Sequence, residues 1–216
     1  MVPFQTKKNA AIAALHYIED HAIIGIGTGT TINIFIEELA LTKISIQAVS
    51  SSKQTTELLK KYRIPTINFE EITELSVYID GADAYNNLKQ LIKGQGGALT
   101  REKILAYSSS KFICIVDDSK QPELFNTTPV AIEVIPFARS SVARSIVKLG
   151  GLPVYRTGSI TDNGNIILDL HNLSMHHPVE LEQQLNNIPG VVANGIFAVR
   201  PADLIIVGTQ SSRFLV

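Results

Sequence analysis

Ile23-Ile24-Gly25-Ile26-Gly27-Thr28-Gly29-Thr30-Thr31 carries a short β-branched run into a glycine-rich turn, and the apolar spacing over 31–41 then predicts a helix. Strand, tight turn and amphipathic helix open a βαβ unit, and the run over 44–49 followed by a helical pattern over 54–62 continues it. Further strands are predicted over 64–68, 76–80 and 111–116, with helices over 10–18 and 101–109. These strands read as continuous apolar runs, as they do when helices cover both faces of a parallel sheet. The expected fold class is therefore α/β: an open, mostly parallel, Rossmann-like sheet with helices on both faces.

The rhythm changes after residue 127. A strand over 130–135, a helix over 138–149, strands over 152–156 and 165–170, a helix over 179–187 and a strand over 191–197 give the order βαββαβ, the plan of a ferredoxin-like α+β domain. Asp162-Asn163-Gly164-Asn165 supplies an Asn-Gly hairpin signal between the two middle strands. The all-apolar run over 202–208 suits the buried first sheet. We therefore expect a larger catalytic domain from residues 1–127 and 202–216, with a smaller inserted domain over 128–201.

The chain has 216 residues, 45% hydrophobic and 18% charged, and 19 Lys+Arg against 20 Asp+Glu leave a net charge of −1. Such a chain buries roughly 70 to 75% of its unfolded surface, so it needs no disulfide or metal staple. The balanced charge argues against a nucleic-acid partner, since such binders carry a basic excess on one face. The longest apolar runs fall far below the ~20 residues of a membrane span, so no membrane partner is expected. A single cysteine, Cys114, excludes an internal disulfide and fits a cytoplasmic location.

Gly25 to Thr31 sits where a strand gives way to a helix. Glycines let successive N–H groups point at one anion, the helix dipole adds partial positive charge, and the hydroxyls of Thr28, Thr30 and Thr31 are further donors. A plain tight turn uses the same residues. The stretch lacks the G-x-G-x-x-G spacing and downstream acid of a dinucleotide site, and the Gly-Lys-Ser/Thr ending of a Walker loop. A small phosphate remains. Asp80-Gly81-Ala82-Asp83 follows another strand at its carboxyl end, the edge where open α/β sheets bind ligands. Two carboxylates there suit sugar hydroxyls, proton transfer or a divalent cation, and Asp83 equally suits a turn cap.

Lys93-Gly94-Gln95-Gly96-Gly97-Ala98-Leu99-Thr100-Arg101-Glu102 places an ammonium in a glycine-rich loop and a carboxylate in the first turn of a helix, with Thr100 as the expected N-cap. Glu102 there complements the helix dipole; a base role requires burial beside Asp80 or Asp83 to offset that dipole. The remaining signals are plainer. Ser50-Ser51-Ser52-Lys53 reads as a helix start, His176-His177 has no further ligands at metal spacing, and Cys114 is a small core residue. Lys120, after Asp117-Asp118-Ser119, stands at another strand's carboxyl end.

In this order the segments "GIGTGTT", "DGAD", "KGQGGALTREK" and "VDDSK", then "TDNGNIILD" and "IPGVVANGIFA", resemble the type A ribose-5-phosphate isomerase family over nearly the whole chain. The resemblance implies phosphosugar binding at Thr28, Gly29, Thr30 and Thr31, at Asp80, Gly81, Ala82 and Asp83, at Lys93, Gly94, Gln95 and Gly96, and at Lys120, with Lys7 a further candidate. It implies Glu102 as the proton acceptor, no cofactor or metal, and a homodimer or dimer of dimers in the pentose phosphate pathway. The smaller domain is then expected at the oligomer interface. Two positions depart from the family pattern: Ala84 stands where Glu usually follows DGAD, and Gln95 where Gly is common. Two rival readings are an isomerase or deaminase of an amino-sugar phosphate, for which no His motif offers the extra acid–base pair, and a non-catalytic sugar-phosphate sensor, which does not need Glu102 and Lys93 together. Asp83, with Asp80 as its partner, is read as opening the sugar ring and positioning hydroxyls, while Lys93 meets the charge that builds on the carbonyl oxygen.

Overall fold

The computed structural model describes residues 2–210 and 213–215. In chain order the elements are α1 (Val2–Leu15), β1 (Ile23–Ile26), α2 (Thr30–Ala40), β2 (Gln47–Ser50), α3 (Lys53–Lys61), β3 (Leu75–Asp80), β4 (Ala84–Tyr85), β5 (Leu91–Ile92), α4 (Leu99–Ser108) and β6 (Ser109–Asp117). They continue with β7 (Val130–Val134), α5 (Arg139–Lys148), β8 (Leu152–Tyr155), β9 (Ile166–His171), α6 (Pro178–Asn186), β10 (Val191–Asn194), β11 (Ile196–Phe197), β12 (Leu204–Gly208) and β13 (Arg213–Leu215). Two units emerge: Met1–Ala82 with Ile104–Lys120 and Ala202–Val216, and Asp83–Lys103 with Gln121–Pro201. Residues 83–103 and 121–127, read from sequence as part of the first domain, group with the second unit in this division.

The first unit is built on a sheet in the order β13-β12-β6-β3-β1-β2, five parallel strands with β13 antiparallel at one edge. Counting only the parallel strands along the chain, the order is 2-1-3-4-5, one of the two common doubly wound plans. One face carries Ile24, Ile26, Val77, Ile79, Ile113, Ile115 and Ile206, which pack with the apolar residues of α1 and α2. Four buried alanines, Ala10, Ala11, Ala13 and Ala14, let α1 approach closely. A Cβ on Gly208 of β12 would overlap the Thr6 carbonyl oxygen of that helix. On the opposite face Tyr78 stacks on Phe112 with ring centroids 5.1 Å apart, and both are fully buried. Burial on both faces explains why these strands show no alternation.

The expected strand over 64–68 is absent; an isolated bridge pairs Thr66 with Ala48. Pro65 interrupts the run because it has no N–H to donate to a ladder. The expected strand over 44–49 forms only from Gln47 onward.

The second unit contains the antiparallel sheet β10-β7-β9-β8, with α5 and α6 in the two crossovers. Its βαββαβ topology is the expected ferredoxin-like one. Val130, Ile132, Val134, Leu168 and Leu170 pack against Val142 and Ile146 of α5 and Leu181 and Leu185 of α6. The Asn-Gly turn does not form a two-residue hairpin. It lies inside the longer connection between β8 and β9, where Thr161 N–H donates to Asn165 O at 2.9 Å and Gly164 takes φ +82°. The strand expected over 191–197 breaks at Gly195, with β10 on one side and β11 on the other. Between residues 81 and 100 β4 and β5 pair, and β11 joins them as a third small sheet.

Gly195 is the residue on which that small sheet turns. Its N–H donates to Ala131 O at 2.7 Å, its carbonyl accepts from Lys93 N–H at 2.8 Å, and a Cβ there would overlap the Lys93 carbonyl oxygen. The neighbour is backbone and cannot rotate away, so Gly195→Ala is expected to lower unfolding free energy by about 1–3 kcal/mol, as overpacking does elsewhere. Urea denaturation followed by circular dichroism measures it; an unchanged midpoint would mean the backbone yields without cost.

Candidate active site

In the first unit the candidate residues gather at the carboxyl ends of the parallel strands, around the point between β1 and β3 where the strand order reverses. Asp80, the last residue of β3, is fully buried and accepts from Thr28 N–H at 3.1 Å, from Gly81 N–H at 2.7 Å and from the Tyr78 hydroxyl. Gly27 runs so close that a Cβ on it would overlap the Asp80 carboxylate. Asp80 thus ties the turn after β1 to the end of β3. These donors of its own unit hold the carboxylate in a fixed orientation.

Thr28 is committed as well. Its hydroxyl lies 2.9 Å from Ser51 Oγ, 2.8 Å from Ser52 Oγ and 3.1 Å from Thr55 Oγ1, and Thr55 donates to Gly27 O at 2.8 Å. Ser52 is also the N-cap of α3, accepting from Thr55 N–H at 3.0 Å, so the Ser50-Ser51-Ser52-Lys53 stretch is the helix start it was read as. Gly29 and Thr30 are exposed and Thr31 half-buried at the start of α2. Gly29 takes φ +130°, a conformation that L side chains rarely adopt. The first N–H groups of any helix have no partner within it, so this turn presents donors and a positive dipole end.

Lys7 reaches the same turn: its Nζ donates to Thr30 Oγ1 at 2.9 Å and lies 3.9 Å from Asp117 Oδ2. Asp117 ends β6 and also accepts from Ser119 N–H at 2.9 Å, while Lys120 N–H donates to Asp117 O at 3.1 Å. Asp117 was read only as part of the stretch before Lys120. It is the residue that joins Lys7 to the end of β6, over a separation no local pattern reveals. Gly81 and Ala82 form the half-buried turn that follows Asp80.

The second unit contributes a different chemistry. Lys93 Nζ and Glu102 Oε2 are 3.2 Å apart, with side chains 3% and 5% exposed. Lys93 follows β5, and its Nζ stands 5.7 Å from the Phe197 ring centroid. Glu102 occupies the first turn of α4 as expected. Glu102 is buried, and Lys93 is a charged neighbour within its own unit; an ammonium favours the carboxylate form as the dipole does and does not offset it. Asp83, half-buried, accepts from Gln95 N–H at 3.0 Å and its own N–H donates to Ile92 O at 2.8 Å. The loop therefore links Asp83 to the chain just beyond Lys93.

Gly94 takes φ +109° and a Cβ there would press on Ala131, so its place admits only glycine; Gln95 and Gly96 are exposed. Arg156, directly after β8, clamps the loop, donating to Gly94 O at 2.9 Å and Gln95 O at 3.0 Å while Asp169 of β9 accepts from its Nε at 2.8 Å. No sequence signal marks this pair, since it acts across about sixty residues. Gly195 did carry one, as an isolated glycine within a strand pattern. Lys103 is buried beside Glu102 in sequence, bonded to Glu182 and to Ile196 O at 2.6 Å, with its Nζ 4.7 Å from the Phe197 ring centroid. Burial pushes this ammonium below its ordinary value, opposed by the Glu182 charge and hydrogen bond. Thr100 is not the N-cap: it is the second residue of α4, and its hydroxyl donates to the buried Glu133.

The chain as a whole is similar to known proteins. Residues 47–212 fit the family model described as ribose 5-phosphate isomerase A (phosphoriboisomerase A). The ribose-5-phosphate isomerase A of Haemophilus influenzae (strain 86-028NP) is 54% identical over 211 residues, 97% of this chain and 96% of that protein. The crystal structure of ribose 5 phosphate isomerase A from Neisseria gonorrhoeae matches with TM-score 0.97 and 43% identity, over 100% of this chain and 98% of that one. A D-ribose-5-phosphate isomerase in complex with phospho-erythronic acid matches with TM-score 0.94 and 39% identity, over 100% of this chain and 99% of that one. This chain, an enzyme, belongs to the ribose 5-phosphate isomerase A family.

Proposed function

We propose that the chain interconverts ribose 5-phosphate and ribulose 5-phosphate by metal-independent proton transfer through an enediol, as a step of the pentose phosphate pathway. The observation that carries the reading is the buried ion pair of Lys93 and Glu102, 3.2 Å apart. Moving a double bond from C1 to C2 requires a base that takes the C2 proton and returns it to C1. A glutamate that accepts a carbon-bound proton must do so as the carboxylate anion, and an ammonium at that distance stabilises that form. As the proton leaves, negative charge gathers on the carbonyl oxygen, where the fixed Lys93 ammonium supplies electrostatic stabilisation in a dry setting. A glutamate base with a separate electrophile is the division of labour the triosephosphate isomerase case also uses.

Asp83, half-buried and oriented by the Gln95 N–H, is the group we assign to ring opening and hydroxyl positioning. Asp80 keeps a place in that assignment as the carboxylate that shapes the turn after β1. The phosphate goes to the α2 start at Gly29, Thr30 and Thr31 with Lys7, and Lys120 is a further cation for it. Phospho-erythronic acid, named with one similar structure, is a phosphorylated four-carbon acid and fits such a division between an anion anchor and a reacting end. Remote binding energy at the phosphate then orients the reacting carbons. A homodimer or dimer of dimers is the assembly we infer, and the exposed Leu152 and Val154 on β8, an edge strand, support it.

Glu102→Gln preserves size and removes the proton acceptor, so kcat is expected to fall by ~10²- to 10⁴-fold with KM little changed. Steady-state kinetics with ribose 5-phosphate measures it, and a variant with more than half of the parent kcat would remove Glu102 from the mechanism. For the anchor, Lys7→Ala and Thr31→Val are expected to raise KM for ribose 5-phosphate while leaving the poor use of unphosphorylated ribose nearly unchanged. Equal losses for both sugars would place the phosphate elsewhere. Activity is also expected to survive exhaustive EDTA treatment; abolition with rescue by Mg²⁺ or Mn²⁺ would contradict the metal-independent route.

A further inference from the structure

Glu133 on β7 is fully buried, yet the reaction above makes no use of it. Its carboxylate accepts from the hydroxyls of Thr100 and Thr161, the latter at 2.9 Å, from Asn163 Nδ2 at 3.1 and 3.3 Å, and from Asn165 Nδ2 at 2.7 Å. All four partners are neutral. A carboxylate buried among neutral groups is tolerated only when its lone pairs are filled, and these donors fill them. The arrangement is demanding to build for a structural staple alone, and its partners share one destination.

Thr100 stands two residues before Glu102 in the first turn of α4. Thr161, Asn163 and Asn165 belong to the connection between β8 and β9, and that connection also grips Arg101: Nε donates to Asn163 Oδ1 at 2.9 Å and Nη2 to Asp162 O at 3.1 Å. Of the two residues immediately before Glu102, Arg101 is thus fastened to that loop, and Thr100 to the Glu133 carboxylate on β7 around which the loop is folded. The first turn of a helix has the fewest internal hydrogen bonds and frays most readily. We propose that Glu133 is a positioning residue for Glu102, acting through the Thr100 hydroxyl and the Asn163–Arg101 link to hold the first turn of α4 rigid. The inference rests on the reading of Glu102 as the base.

The test compares Thr100→Val, Thr100→Ser and Glu133→Gln, each alone and combined with Glu102→Gln, with kcat and KM for ribose 5-phosphate and the melting temperature measured for each. Small misplacement of a reacting group costs up to about 100-fold, so Thr100→Val is expected to lower kcat by ~10- to 100-fold with KM within about twofold. Thr100→Ser keeps the hydroxyl and is expected to restore most of the rate. In the Glu102→Gln background the Thr100→Val loss is expected to vanish, because the group being aimed is gone. A Thr100→Val enzyme with more than half of the parent kcat, a loss carried by KM, or a loss that multiplies with that of Glu102→Gln would overturn the positioning role. The Thr100 pair keeps the test decisive if Glu133→Gln does not fold. A silent Glu102→Gln would overturn the base reading itself, whereas a full Glu102→Gln loss beside a silent Thr100→Val overturns only this inference.

Discussion

An ammonium and a carboxylate held 3.2 Å apart with almost no access to solvent are expensive to assemble, and much of the second unit is arranged to keep Lys93 and Glu102 in that state. Taking each charge out of water costs several kcal/mol, and mutual attraction offsets this only when the geometry is fixed. Fixation comes from both sides. Lys93 is tied through its backbone to Gly195, and the loop after it is clamped by Arg156 and linked to Asp83. Glu102 sits in a helix turn whose preceding residues are bound to Glu133 and to the loop around it. Loosening any of these supports leaves a buried charge with an inferior partner, the most damaging outcome for such a pair.

The first unit solves a simpler problem. A parallel sheet of order 2-1-3-4-5 opens between β1 and β3, and the chain there must turn within two or three residues. Asp80 takes up the N–H groups exposed by those turns, and Gly27 makes room for its carboxylate. With Thr28 bound into the hydroxyl cluster of Ser51, Ser52 and Thr55, the start of α2 is left as a stiff donor surface facing the Lys7 ammonium. Rigidity there suits an anchor: a phosphate held without reorganisation contributes its binding energy to orientation rather than to ordering the site.

The parallel sheet was legible because most of its strands are dominated by β-branched and other apolar residues and are bounded by glycine or polar turns, and the βαββαβ order was legible because its helices keep a clear period over nine or ten residues. What escaped the pattern was short or distant. β4, β5 and β11 are two residues each, below the length at which alternation means anything, and Gly195 is a single interruption in a strand-like run. At the site, residue types and local spacing disclosed Lys93, Glu102, Asp83 and the turn before α2. They did not disclose which groups are engaged: that Asp80 and Thr28 are bound within their own unit, that Thr100 serves Glu133 instead of capping, or that Arg156 and Asp117 take part. Those facts depend on side chains brought together from sequence positions tens of residues apart.

The central claim is that a carbon-bound proton passes through Glu102 while Lys93 stabilises an enediolate. Running the isomerisation of ribose 5-phosphate in deuterium oxide with EDTA present, stopping at low conversion and locating the label by proton NMR tests it directly. The account predicts deuterium at C1 of the ketose product, because a proton resting on a carboxylate is exchangeable during turnover, whereas a hydrogen moved as hydride is not. Complete transfer of the original C2 hydrogen to C1 with no label in the product would indicate a hydride shift and contradict the account.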